Sequence, residues 1–315
     1  MTLDFDSESL PWLDAWGREL DRYIASVEDD PARRIKLREQ LVHWTHFGFL
    51  VLEQAIEPAL IDAYLADLDE LFERREHSPL VSTGYDSYQK VKDWEGSDPR
   101  AHGIRILDFH NWSVAGKRIS LHASIVRMLG HIFRDEVVAM QSLTFLKGSE
   151  QGLHQDYAYV RAEIPSHLAA SWVALEDISP DAGPLAYAKC SHTIPKFDWG
   201  DGLFRTVHST RNDDQFSEHI HARLREAGLA PEPFAPKKGD VFLWHGALAH
   251  GGMPANDKGL TRRSFVTHYS TGSGYKHDYR AKDREPVREV WNGGVLYRHP
   301  EFPEEESAFP RGRDL

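Results

Sequence analysis

The chain has a single cysteine, Cys190, in 315 residues. No intrachain disulfide can form, and a zinc site built from several thiolates is excluded. Long apolar runs are missing as well. The stretch 47–52 is among the most apolar, far short of the roughly 20 residues a helix needs to cross a bilayer. Positive charge is scarce: 37 Lys and Arg stand against 49 Asp and Glu, and the resulting net charge of −12 disfavours general binding to nucleic acid or to an anionic membrane. A small anionic ligand stays open, because one local arginine can override the average. Residues 1–6 are acidic and lack a basic stretch followed by an apolar one, so no secretory signal is expected. The expected location is the cytoplasm, whose reducing conditions suit a lone thiol.

What is present reads as one large globular unit. Leu13, Trp16, Leu20, Tyr23 and Val27 recur at three- and four-residue steps, and Pro31 can open a second helix. Residues 48–56 suit a strand. After Glu57 and Pro58, Leu60, Ile61, Tyr64, Leu65, Leu68, Leu71 and Phe72 form one apolar stripe, the mark of a helix laid on the outside of a sheet. Residues 76–103 are polar and without period, and a loop of that length in a compact domain usually serves function. Part of it, 77–102, is expected to act as a lid over a reactive centre. Short strands are expected at 104–110, 137–147, 171–178, 185–190, 240–246 and 262–270, with helices at 122–133 and 213–227. Strands and helices do not alternate regularly, so a sandwich or barrel fits better than a doubly wound fold. The charged tail from Arg280 is expected to run over the surface.

The chemistry concentrates in His154-Gln155-Asp156 and His250. Two imidazoles and one carboxylate are the ligand set that leaves half of an octahedral Fe(II) open. In an extended segment alternate side chains share a side, so His154 and Asp156 can grip one ion. An H-x-D pair alone is weak evidence among 18 histidines. His250 closes the apolar run 240–250 and is followed by Gly251 and Gly252, which favours it over His245 as the third ligand; His245 could instead orient a ligand from behind. Downstream, Arg262, Arg263 and Ser264 open a strand. Neighbours in a strand face opposite ways, so only one arginine can point inward, and Arg262 shares its face with Ser264. A planar guanidinium suits a bidentate grip on a carboxylate.

The order His154-Gln155-Asp156, Trp172 to Asp177, Asp181 to Leu185, Ser191-His192, Gly239-Asp240, His250-Gly251 and Arg262-x-Ser264 is similar to the phytanoyl-CoA dioxygenase family, over roughly residues 40 to 275. Two departures stand out. The family's Gly-Ser-His reads Cys190-Ser191-His192, and its His-Gly-Ser reads His250-Gly251-Gly252, which removes a hydroxyl near the co-substrate. The resemblance implies a mainly β fold with flanking helices: a double-stranded β-helix, the cupin-like jelly roll, with helices packed on one sheet. It implies 2-oxoglutarate as co-substrate, its distal carboxylate held by Arg262 and Ser264, with O2 as oxidant. Arg105, Gln141, Leu143 and Trp172 would be further co-substrate contacts. A carboxylate at 156 would favour hydroxylation or a related oxidation over halogenation. Tyr157, Tyr159 and His192 lie near the motif, where aromatic packing is the readier expectation than substrate contact.

The expected organisation is a single dioxygenase domain over 1–315, with N-terminal helices to 46, a catalytic core at about 47–275 and a C-terminal extension from 276. The expected function is oxidation of a small organic molecule with release of succinate and CO2. Two other readings compete: a cupin-type metal-dependent hydrolase or isomerase, and a non-catalytic jelly-roll binding module. Neither gives a reason for Arg262 to face the metal.

Overall fold

In the computed structural model, residues 17–74, 79–82, 88–93, 104–275 and 287–297 are described. Helix α1 (Gly17–Val27) leads into α2 (Pro31–Phe47). Asp30 caps α2 by accepting from Arg33 N at 2.8 Å, and Pro31 supplies a preset first turn. Gly48 ends it in the left-handed region at φ 80°, and a side chain there would also strike the ring of His192. Strand β1 (Phe49–Leu52) and helix α3 (Pro58–Arg74) follow as the sequence predicts. Next come β2 (Leu80–Ser82), β3 (Tyr88–Lys90), β4 (Arg105–Leu107), α4 (Val114–Ser120), α5 (Ala123–Phe133) and the long β5 (Val137–Phe145). The second half holds β6 (Ala169–Ala174), β7 (Leu185–Tyr187), α6 (Asp213–Glu226), β8 (Glu232–Phe234), β9 (Val241–His245), β10 (His250–Gly252) and β11 (Ser264–Thr271). A hairpin of β12 (Arg288–Trp291) and β13 (Gly294–Tyr297) completes the described chain.

The strands form two sheets. The larger runs β1-β9-β6-β11-β5-β4-β2-β3, with β13 added beside β5; the smaller runs β10-β7-β8. The inner faces meet through Phe49, Trp172, Tyr187, Phe242, Trp244 and Val266. The outer face of the large sheet is covered by helices: Trp44 from α2, Tyr64 and Leu68 from α3 and Leu129 from α5 join Val173, Leu243 and Phe265 in one core. This is the jelly roll with helices on one sheet that the sequence predicts. Alternation along β11 explains the division. Phe265 and Tyr269 go to the helix side, while Val266 goes to the inner core. A third cluster, with Tyr157, Phe197, Trp199 and Phe216, seats α6 beside the barrel.

Three expectations need correction. The stretch 76–103 is not all loop: its described parts, 79–82 and 88–93, include a β2–β3 hairpin that extends the large sheet through β4. The rest of the expected lid, 77–78, 83–87 and 94–102, lies outside the described residues. The segment after 275 is not merely a surface tail, because Gly294, Val295 and Leu296 pair in parallel with Val137, Val138 and Ala139 of β5. Apolar Val295 and Leu296 are fully buried there, one on each face of the sheet, in an otherwise charged stretch. Finally, residues 114–120 form the helix α4, capped by Ser113 accepting from Gly116 N, where no element was expected.

Candidate metal centre

Residues 146–153 carry no strand and lead into His154, whose backbone pairs with His250 in both directions, His154 N to His250 O at 2.9 Å and His250 N to His154 O at 3.0 Å. Two of the three expected ligands therefore face each other across an antiparallel bridge. Asp156 then opens a one-turn 3₁₀ helix (Asp156–Ala158), which tips its carboxylate toward the pair. The side chains of His154, Asp156 and His250 offer three ligand atoms within 4.8 Å of one another. Both imidazoles hold Nδ1 at a carbonyl: His154 at Gly152 O, 2.9 Å, and His250 at Leu248 O, 3.0 Å. A carbonyl accepts only, so the proton sits on Nδ1 and each Nε2 is left as a ligand. Each Nε2 lies 3.6 Å from Asp156 Oδ1.

Charge states suit a metal. Burial would push the Asp156 carboxyl up, but the imidazoles of His250 and His268 and hydrogen bonds from His154 and His268 hold it well below the ordinary carboxylate range. Burial pulls His250 down to about 4, against the attraction of the Asp156 carboxylate. At neutral pH the centre thus presents an ionised carboxylate and a neutral imidazole, the protonation states that metal ligands require.

The triad opens into a cavity. Its walls include Leu143, Phe145, Trp172, Val266 and Arg262. Arg262 is 2% exposed, and no carboxylate among the described residues pairs with it. Its guanidinium lies 5.6 Å from the Phe145 ring centre and 5.8 Å from that of Trp172, and its Nε makes no hydrogen bond. Burial alone lowers it to about 10. Close by in the sequence, Ser264 Oγ is also buried without a partner. Buried polar groups are almost always satisfied, and an unpaired buried cation is costly. A small dianion able to reach both the triad and Arg262 would satisfy the guanidinium, so the donor set and this orphaned cation fit Fe(II) with 2-oxoglutarate. Arg263 points the other way, to Glu176, at 2.6 Å.

The other expected contacts divide. Leu143 and Trp172 line the cavity. Arg105 and Gln141 do not: Arg105 is half-buried on β4 and reaches Ser82, and Gln141 meets His268 at 3.2 Å. Ser264 shares the inward face of β11 but does not line the cavity. Gln155, between two ligands, turns its amide away to the carbonyls of Ser191 and Ala247 and anchors the loop. Tyr157 accepts from Phe197 N, Tyr159 donates to Asp213, and His192 Nε2 meets Thr45 O, so these three serve packing. His245 is buried beside His192, and its Nδ1 accepts from Ala247 N.

One participant was missed. His268 lines the cavity, with Nε2 3.4 Å from Asp156 Oδ2. The alternation that sets Ser264 beside Arg262 continues to Val266 and His268, so the signal was in the strand. The glycines after His250 answer to close packing. Segment 149–152 runs against β10, where a Cβ at Gly251 would meet Gln151 O at 2.6 Å and one at Gly252 would strike the Ser149 hydroxyl.

The phytanoyl-CoA dioxygenase family model matches residues 44–264. The chain is similar to human peroxisomal phytanoyl-CoA dioxygenase, at 20% identity over 79% of this chain and 72% of that protein. Among solved structures it is similar to the non-heme alpha-ketoglutarate-dependent epimerase SnoN of nogalamycin biosynthesis, with a TM-score of 0.59 and 18% identity over 85% of this chain and 99% of that one. It is also similar to EctD from S. alaskensis with 2-oxoglutarate and 5-hydroxyectoine, with a TM-score of 0.53 and 18% identity over 79% of this chain and 81% of that one. These likenesses bear on the fold, and they agree with a cupin-like double-stranded β-helix.

Proposed function

The chain belongs to the phytanoyl-CoA dioxygenase family, and on that premise we propose that it is an Fe(II)- and 2-oxoglutarate-dependent oxygenase acting on a small organic molecule. His154, Asp156 and His250 would hold the metal, and Arg262 the distal carboxylate of 2-oxoglutarate. The observation that carries this reading is Arg262: a buried cation with no carboxylate of its own, sharing one cavity with the triad. A hydrolase or an inert binding module gives that residue no task, and leaves its desolvation uncompensated.

Bound at the centre, Fe(II), 2-oxoglutarate and O2 supply oxidative decarboxylation to succinate and CO2 coupled to oxidation of the substrate. The chain's own residues do the positioning. The Gly152 and Leu248 carbonyls keep the two Nε2 atoms directed inward. The Arg262 guanidinium, flanked by Phe145 and Trp172, supplies charge at its end of the cavity, where the low dielectric strengthens its hold on a carboxylate. Leu143 and Val266 keep that end dry.

Substrate-coupled succinate release tests the reading. With Fe(II), 2-oxoglutarate and O2, a panel of small organic acids, zwitterions and coenzyme A thioesters should include members that raise succinate formation above the uncoupled rate. An Asp156→Ala protein should form none. Equal rates in the wild type and in Asp156→Ala would contradict the assignment.

Among the described residues, no helix is long and apolar enough to cross a membrane. The net charge of −12 favours a small-molecule partner over nucleic acid, and a reducing cytoplasm suits the single thiol.

A further inference from the structure

Asp156 offers two oxygens, and they face different surroundings. Oδ1 lies 3.6 Å from Nε2 of both His154 and His250. Oδ2 accepts from the indole Nε1 of Trp244 at 2.8 Å and lies 3.4 Å from His268 Nε2. On the other side of the same imidazole, Nδ1 meets the side-chain Nε2 of Gln141 at 3.2 Å. We infer that Gln141, His268 and Trp244 form a clamp that confines Asp156 to one-oxygen metal coordination, with His268 as a positioning residue. The inference rests on the metal-site reading given above and adds to it a task for three residues outside the triad of His154, Asp156 and His250.

The argument runs through hydrogen-bond inventory. An indole N–H can only donate, so Trp244 commits Oδ2 as an acceptor. An amide NH2 also only donates, so Gln141 makes His268 Nδ1 the acceptor, and the ring proton must sit on Nε2. That proton points at Oδ2. The reverse amide orientation would put the proton on Nδ1 and set a bare ring nitrogen against a carboxylate oxygen, two lone pairs facing each other. Gln141 and His268 are direct register partners on β5 and β11, and the pairing slips by one residue just beyond them, between His268 and Tyr269. Bulges of this kind commonly re-aim a side chain beside a reactive centre. At 3.4 Å the His268 contact is longer than the indole contact, so Trp244 is the firmer hold and His268 the adjustable one.

With Oδ2 held by two N–H donors, only Oδ1 is free to face an ion between the histidines. One-oxygen coordination keeps the protein's share at three positions and leaves three for co-substrate and oxygen. A carboxylate free to rotate could take a fourth position and compete with chelation. The clamp therefore protects 2-oxoglutarate binding as much as it tunes the metal.

The test uses the full chain and Mn(II), which does not oxidise in air. Mn(II) affinity is measured first, by calorimetry; 2-oxoglutarate affinity is then measured on the Mn(II)-saturated protein, and thermal melting monitors folding. His268→Leu removes the donor, and His268→Gln keeps an N–H near the position of Nε2. Gln141→Leu releases the tautomer lock. His268→Leu should lose about ten- to a hundredfold in Mn(II) affinity, the range for outer ligands of a metal site, with a separate loss of at least fivefold for 2-oxoglutarate. His268→Gln should recover most of both, and Gln141→Leu should fall between. A residue that merely packs would lower the melting temperature and leave both affinities alone. His268→Leu within twofold of wild type on both affinities overturns the inference. So does His268→Gln as impaired as His268→Leu. If His268→Leu does not fold, wild-type affinities in Gln141→Leu overturn it equally. Should Mn(II)-loaded wild type fail to bind 2-oxoglutarate, the co-substrate reading fails, while the Mn(II) affinities still judge the clamp.

Discussion

Replacing Arg262 by methionine should make the ligand-free protein more stable while abolishing its response to 2-oxoglutarate. Arg262 is 2% exposed, and burial lowers its guanidinium to about 10. At about 1.4 kcal/mol for each tenfold change, that depression is ~3 kcal/mol of unrecovered desolvation. The rings of Phe145 and Trp172, 5.6 and 5.8 Å from the guanidinium carbon, return part of it, roughly 1–2 kcal/mol together. A methionine keeps the packing between the rings and carries no charge, so the expected net gain is about 1–2 kcal/mol, or roughly 2–5 °C in melting temperature for a chain of this size. In the wild type, 2-oxoglutarate at a hundred times its dissociation constant, added with Mn(II), should contribute about 2.7 kcal/mol of stabilisation. In Arg262→Met that increment should vanish while the increment from Mn(II) alone stays. Differential scanning calorimetry with and without each ligand reads all four numbers. A variant less stable than wild type without ligands, yet still stabilised by 2-oxoglutarate, would refute the claim that this buried charge exists to hold the co-substrate.

Other consequences follow from the same geometry. Arg263→Ala should leave 2-oxoglutarate binding unchanged and cost no more than about 1 kcal/mol in urea unfolding, because its pairing with Glu176 is partly exposed. Gly252→Ser should destabilise by about 1–3 kcal/mol through collision with the Ser149 hydroxyl and the Glu150 backbone nitrogen, and Ser149→Gly in the same chain should restore only part of the loss; an unaffected single variant would contradict the packing account. Burial lowers His192 from 6.5 to about 4. The folded state therefore keeps this ring neutral where the unfolded chain binds a proton, and its contribution, present above pH 6.5, is lost as pH falls from there toward 4. It amounts to on the order of 3 kcal/mol. His192→Leu should flatten the fall of unfolding free energy with pH in that window by about 1.4 kcal/mol per pH unit, and an unchanged slope would show that the ring is not held neutral.

The proposed metal ligands and Arg262 were legible because each carries a local sign: two-residue spacing at His154 and Asp156, an apolar run ending at His250, strand alternation at Arg262 and Arg263. His268 obeys the same alternation, yet a histidine in the middle of the aromatic and β-branched run 265–271 reads as core until its partner is known. That partner, Asp156, is remote in sequence. Arg105 and Gln141 rest on resemblance alone: one reaches Ser82 and the other His268, and neither lines the cavity. The strand β13 carried a signal that was passed over: Asn292 and Gly293, both at positive φ, turn the β12–β13 hairpin, but a charged neighbourhood masked two buried apolar residues beyond it. The small sheet of β10, β7 and β8 was the least legible, its strands being three residues each. Segments so short are specified by what they pack against, as the glycines of β10 are by residues 149–152.

The central claim is that one centre binds Fe(II) through His154, Asp156 and His250 and 2-oxoglutarate through that iron and Arg262. Anaerobic absorption spectroscopy reads it most directly, because chelation of Fe(II) by a 2-oxo acid produces a weak visible charge-transfer band that neither component gives alone. Wild-type protein should develop the band on addition of both, saturating at one equivalent of each. Arg262→Met should require far more 2-oxoglutarate to reach the same band, and Asp156→Ala should show none. A wild-type protein that gives no band with saturating Fe(II) and 2-oxoglutarate, or an Asp156→Ala protein that gives the wild-type band, would contradict the account.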